Sequence, residues 1–226
     1  LTRKRINQKT SYQYISDQGD SFSEYVLAEA TLGVRWSPES DFMRTPRGFQ
    51  EISRGYPILS GQITKGFRGV TESNFNYFKV SGKAQYVLSR PDQSGTEFLL
   101  EGHYSTGEVP LTHLFHAYPN APNKDEVLQR FSVAGTRSFE TMYFNEFFSD
   151  RIIIGQVRHR LAPFNIFSFL KPEMVLITKV AWGNLDNIDR HQNVSFNTLE
   201  KGYFESGFEL NKLIFGFGLS ASYRYG

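Results

Sequence analysis

The stretch Phe215-Gly216-Phe217-Gly218-Leu219-Ser220-Ala221-Ser222-Tyr223-Arg224-Tyr225-Gly226 alternates without a miss. Phe215, Phe217, Leu219, Ala221, Tyr223 and Tyr225 fall on one side, and the glycines, serines and Arg224 on the other. A strand turns successive side chains to opposite faces, so the pattern predicts one β-strand with a wholly apolar side. The opposite side is small and polar, and aromatics stand at both ends of the apolar one. A strand with lipid outside and a watery or plugged lumen inside has this pattern.

The same period returns upstream. Val26, Ala28, Ala30, Leu32, Val34 and Trp36 fall on one side opposite Glu29, Thr31, Gly33 and Arg35, and Phe78, Val80, Ala84, Tyr86 and Leu88 fall opposite Lys79, Ser81, Lys83 and Gln85. Phe98–Tyr104, Met174–Trp182 and Phe204–Leu210 follow suit. Tyr56–Phe67 and Phe147–Arg160 do so less cleanly. With the terminal stretch these make about eight strands of roughly 9–15 residues, the length a tilted membrane strand needs. A ninth at Thr10–Ser16 rests on Tyr12 and Tyr14 alone. The expected fold is all-β: an antiparallel transmembrane β-barrel over residues 1–226. A soluble β-sandwich is the other architecture that buries such faces, but its strands are usually shorter.

Composition narrows the function classes. The 226 residues carry a net charge of +2, which offers no basic face for nucleic acid. There is no cysteine, so disulfide staples and cysteine–zinc sites are out. Aromatics make 15% of the chain, a bias that suits strands and membrane interfaces. No run approaches the ~20 apolar residues of a spanning helix, so only a closed barrel would cross a bilayer. The chain opens on Leu1 without a leader, which reads as a cut start.

The polar alternates define the expected lumen: Glu29, Arg35, Lys79, Lys83, Glu97, Glu101, Arg158, Arg160, Glu205, Glu209 and Arg224, with Glu173 and Lys179 beside them. Pro91–Gly95 and Asn211–Ile214 read as short turns and Pro163–Pro172 as a moderate one. Gly107–Thr141 and Asn184–Gly202 read as long loops on the opposite end. Ser37–Gly55 breaks the rule, being long on the short-turn end. Gly107–Thr141 is too long for a plain connector. It carries a helical turn after Asn123 and two candidate plug residues, Arg130 and Arg137, expected to reach the inward acids.

Several segments carry a resemblance: Tyr56-Pro57-Ile58-Leu59, Thr64-Lys65-Gly66, Phe75-Asn76-Tyr77, Phe139-Glu140-Thr141-Met142, Asn145 to Arg151, Ala181 to Leu185, Asn197 to Gly207, and Tyr223-Arg224-Tyr225-Gly226. From about Glu24 onward the chain resembles the C-terminal barrel of outer-membrane proteins of unknown function that begin with a carboxypeptidase-regulatory-like domain. That barrel in turn is similar to the BamA/TamA assembly-factor superfamily. The resemblance implies a barrel of about sixteen strands, of which this chain would be the C-terminal eight or nine without the last. A complete eight-stranded barrel is the alternative. The superfamily's Arg-Gly-Phe signature has a counterpart in Arg47-Gly48-Phe49, but this lies in Ser37–Gly55, the wrong connection by strand parity.

Catalytic motifs are missing: there is no Gly-x-Ser-x-Gly, no phosphate loop and no His-Glu-x-x-His. His113 and His116 lack a third metal ligand in sequence. Glu101 and His103 share a face, with Ser105 next on it, and read as hydrogen-bonded wall residues. The expectation is therefore a non-enzymatic protein without cofactor or metal, in the outer membrane of a Gram-negative bacterium. Its partners would be outer-membrane lipid and client membrane proteins or lipoproteins that it helps insert or export. The alternative is a pore or nutrient-uptake barrel.

Overall fold

The computed structural model describes residues 2–7, 11–121, 135, 137–165, 171–213 and 217–225. Nine strands form one sheet: β1 (Thr2–Asn7), β2 (Glu24–Trp36), β3 (Ile58–Gly66), β4 (Tyr77–Ser89), β5 (Gly95–Gly107), β6 (Arg151–Arg160), β7 (Glu173–Asn184), β8 (Tyr203–Asn211) and β9 (Leu219–Tyr225). Each pairs antiparallel with its neighbours in sequence, so the order in the sheet is the order in the chain. Among the described residues β1 and β9 do not pair with each other, and the sheet is not a closed barrel.

The ladders fix the faces. Trp36 opposes Leu59, Leu59 opposes Ala84 and Ala84 opposes Leu100. Leu32, Ile63, Val80 and Tyr104 make a second such row. Across β6–β9 the same face continues through Ile153 and Trp182, then through Val180, Phe204 and Tyr225. It is bare. Leu32 is 76% exposed, Val34 70% and Leu100 56%. Soluble monomers rarely leave so wide an apolar surface open.

The opposite face is covered. Its two cores lie under the connections, one around Tyr12, Tyr14, Tyr25, Leu27, Phe75 and Tyr77, the other around Phe139, Met142, Ile152, Ile154 and Tyr203. Phe75 lies 5.0 to 5.2 Å from the rings of Tyr14, Phe22 and Tyr25, edge-on to each, a favoured aromatic geometry. Gln13–Ile15 pairs with Ser21–Phe22 and with His191–Gln192. In a flat sheet β2 and β7 would stand about 24 Å apart, at ~4.8 Å per strand. Their connections nevertheless pair backbone to backbone across this face and cap one end of it.

Several sequence expectations change here. The ninth strand is Thr2–Asn7, not Thr10–Ser16. The strand β1 carries a single apolar residue, Ile6, so no periodicity betrays it, and its Arg3, Lys4 and Arg5 are typical of an edge. Gln13–Ile15 is a three-residue piece of the cap. Strand β6 begins at Arg151, because Phe147 and Phe148 are drawn into the cores. The long connection runs from Glu108 to Asp150, nine residues beyond Thr141, and contains a parallel pair, Pro119–Ala121 with Phe139–Tyr143. The turn after Asn123, Arg130, Phe215 and Gly226 lie outside the described residues. The Ser37–Gly55 stretch is a hairpin, Asp41–Thr45 with Gly48–Ser53, and Arg47-Gly48-Phe49 forms its tip.

Candidate functional site

The covered face is built from one side of every long strand. The register brings Glu29, Arg35, Lys79, Lys83, Glu97, Glu101, Arg158, Arg160, Glu205, Glu209 and Arg224 to it, with Glu173 and Lys179. All but Arg35, which pairs with Glu51 of the Ser37–Gly55 hairpin, fall into three groups under the Glu108–Asp150 connection and a fourth at the short-turn end.

The first group surrounds Glu29. Its carboxylate accepts from Tyr77 Oη at 2.9 Å and pairs with Lys4, while His113 Nε2 lies 3.8 Å away. The Lys79 amine donates to the His113 carbonyl at 2.7 Å and sits 4.4 Å above the Phe115 ring. Tyr77 also lies over Gly66, its cross-strand partner, where a Cβ would meet the ring at 2.3 Å. Only glycine leaves room for the ring that carries this hydroxyl. A polar cavity of about 330 Å³ remains between Lys4, Gln62, Thr64 and Phe115.

Glu101 anchors the second group. Lys83 Nζ lies 2.9 Å from one carboxylate oxygen, and Tyr118 Oη donates to the other at 2.6 Å. His103 stacks on Phe115 at 5.0 Å with its Nε2 3.5 Å from Glu101. Ser105 donates instead to the Asp150 carbonyl at 3.0 Å. The three side chains thus share a face without forming a nucleophile–base relay.

The third group is the most enclosed. Glu205 is 1% exposed. It accepts the amides of Glu140 (3.0 Å) and Thr141 (2.8 Å), the Thr141 hydroxyl (2.6 Å) and the Lys179 amine (3.2 Å). Lys179 also donates to the Ser138 carbonyl at 2.6 Å. Arg224 donates to Glu146 at 2.7 Å and lies 4.4 Å above the Tyr203 ring, whose hydroxyl shares a 2.7 Å bond with Thr141. The connection is therefore latched down by its backbone. Arg137 is exposed, and no ion pair joins it to these acids among the described residues. At the short-turn end Arg158 holds Glu209 with two bonds (3.0 and 2.7 Å), Gln85 donates to Glu97 at 2.7 Å, and Arg160 lies 3.9 Å from Glu173.

Sequence reasoning missed Lys4, Tyr77, Tyr118 and Glu146, and it looked for arginines where amides do the holding. Tyr77 could have been found: it is the odd-numbered residue that continues the Lys79–Lys83 row. Among the described residues no group of three His, Asp or Glu side chains converges as metal ligands would, and His116 is exposed.

Two buried imidazoles give this end of the protein a pH dependence. Burial, then the neighbouring Lys79, pulls His113 down to about 4, with Glu29 opposing and Lys4 adding. Burial and the adjacent Arg190 pull His191 down to about 4 as well. His191 Nδ1 and Tyr12 Oη share a 2.9 Å bond, and Tyr12 Oη accepts from the Leu111 amide at 3.1 Å. Unfolded histidines titrate near 6.5, so below that pH the unfolded chain binds protons that the fold refuses. Stability is full above about pH 6.5, falls as the pH drops through the window, and levels near 4. Urea unfolding at pH 7.5 and pH 5 should differ by about 2 kcal/mol per histidine. His191→Phe should remove its share, and an unchanged midpoint in the parent would refute the account.

Residues 2–101 match the model of the C-terminal domain of a family of unknown function (DUF5686). No curated protein matches the chain. The matched stretch runs from β1 into β5, and holds the whole Glu29 group's wall residues together with Lys83, Glu97 and Glu101. Asn197–Gly207, one of the segments that carry the sequence resemblance, lies beyond it.

Proposed function

We propose that this chain forms wall strands of a non-enzymatic outer-membrane β-barrel of the assembly-factor kind. Its long connection acts as an internal plug, and its role is to aid insertion or export of outer-membrane proteins or lipoproteins. The observation that carries the reading is the division of one sheet into a bare apolar face and a polar face covered by its own loops. A bilayer is the solvent that suits the first. The covered carboxylates are held by polar and charged groups of the wall strands and, at Glu101 and Glu205, of the connection, which suits an occluded interior better than an open channel.

The full chain, refolded in detergent and into vesicles, tests this. The expected result is a band that migrates differently on gels when unheated, and low, erratic conductance in planar bilayers. A soluble monomer without detergent would refute the membrane reading. A large steady conductance would favour the pore or nutrient-uptake alternative.

A further inference from the structure

The hairpin Asp41–Thr45/Gly48–Ser53 is built at its base and bare at its tip. At the base, Glu51 accepts from Arg35 at 2.8 Å and from Ser40 Oγ at 3.0 Å, with Arg54 3.6 Å away. Ser40 Oγ accepts the Gly55 amide at 3.0 Å, and Gly55 comes so close to Glu39 that a Cβ would lie 1.8 Å from its carbonyl oxygen. The ribbon is thus tied to the end of β2 through Arg35 and closed on itself at its foot. Beyond the base its apolar side chains stand largely open. Phe49 is 77% exposed and Ile52 64%, with Phe42 and Met43 about half exposed. The cross-strand pairs put Phe42 and Phe49 on one side with Arg44, and Met43 on the other, while Ile52 falls at the register shift between Glu51 and Ser53. An isolated two-stranded ribbon is marginal in water, and this one shows apolar residues on both sides.

We propose that this hairpin docks into the interfacial layer of an anionic phospholipid bilayer. The proposal rests on the membrane reading of the sheet, and two observations select lipid as the occupant. The hairpin leaves β2 directly after the bare row Leu32, Val34 and Trp36, so its apolar side chains continue a face already assigned to lipid. Arg44 and Arg47 flank Phe49 at the tip, and neither has an ion pair among the described residues. Aromatic and aliphatic side chains beside unpaired arginines suit the boundary of acyl chains and phosphate groups.

The test uses the full chain in vesicles of phosphatidylcholine and phosphatidylglycerol, some with brominated acyl chains. Trp36 and Trp182 are replaced by Phe, and a single reporter is introduced as Phe49→Trp. The expected result is blue-shifted emission, quenched by bromine near the headgroups, and less quenching when Arg44→Gln and Arg47→Gln are added or phosphatidylglycerol is left out. Water-like, unquenched emission would overturn the proposal, and so would blue-shifted emission that bromine leaves alone, which would mean that protein covers the tip. Quenching indifferent to both the arginines and phosphatidylglycerol would overturn the anionic-headgroup part. A second reporter, Val34→Trp, keeps the two readings apart. If it too is unquenched, the membrane reading of the sheet fails; if it alone is quenched, only the hairpin proposal fails.

Discussion

Glu205→Ala should release the connection and cost the fold about 3–5 kcal/mol, because it strands a buried ammonium and two buried amides together. Lys179 would keep the Ser138 carbonyl as its near acceptor, with Glu140 4.0 Å off. The amides of Glu140 and Thr141 would lose their shared acceptor, and Thr141 would keep only Tyr203. Two measurements check this. Urea unfolding should show the loss of stability, and limited proteolysis should open new cleavage between Ser138 and Glu146. If the sheet closes into a barrel, single-channel current should rise as well. Glu205→Gln, which keeps the shape and one good acceptor, should fall between. The double variant Glu205→Leu with Lys179→Met removes the uncompensated charge, so it should recover much of the stability while the segment stays cleavable. A Glu205→Ala protein as stable and protease-resistant as the parent would mean that the latch holds nothing.

Leu100→Arg is the second large effect, and its size depends on the solvent. Leu100 stands near the middle of β5 on the bare face, between Ala84 and Gly155. In water, exchanging an exposed leucine for arginine changes stability by no more than about 0.5 kcal/mol. At the midplane of a bilayer the same exchange on a barrel wall costs about 2–4 kcal/mol. Leu99, its neighbour, points to the covered face and is 6% exposed, so Leu99→Arg should be damaging in either solvent. Folding yields into vesicles and denaturant titrations of the three proteins check the pattern. A Leu100→Arg chain that folds into vesicles as well as the parent would remove the bilayer from the account of this face.

Much of this arrangement could be read in the chain. Strand β9, β2 from Ala28 and β4 from Phe78 to Tyr86 alternate so regularly that both faces, and the charged row on one of them, follow from counting by twos, whereas Val175 and Ile177 make both faces of β7 apolar. Where the alternation lapses, so does the reading. Strand β1 joins through backbone pairing and has Ile6 as its one apolar residue on the covered face, a signal that hydrophobic counting does not register. The hairpin after β2 shows apolar residues on both sides and no period. The site was half legible: its acids lie where the alternation puts them, but their partners do not. Glu205 is satisfied by peptide N–H groups from residues 65 and 64 positions earlier, and every non-proline residue carries such a donor. Searching the connection for cations led to Arg137, which stays outside, while Tyr118 and Thr141 make the contacts.

The neighbour-to-neighbour order of the sheet also bears on the timing of assembly. Each ladder joins strands adjacent in sequence, so most of the sheet can grow by adding hairpins one at a time, with little loop-closure entropy per step. The connection between β5 and β6 is different. Its acceptors and donors at Glu205, Lys179 and Arg224 belong to β7, β8 and β9, which lie later in the chain. Until those strands arrive, the Ser138–Glu146 segment lacks the polar partners that hold it to the sheet. Seating it and adding the last strands are then one cooperative event, so a chain stalled before β8 would hold most of its sheet while leaving its interior open.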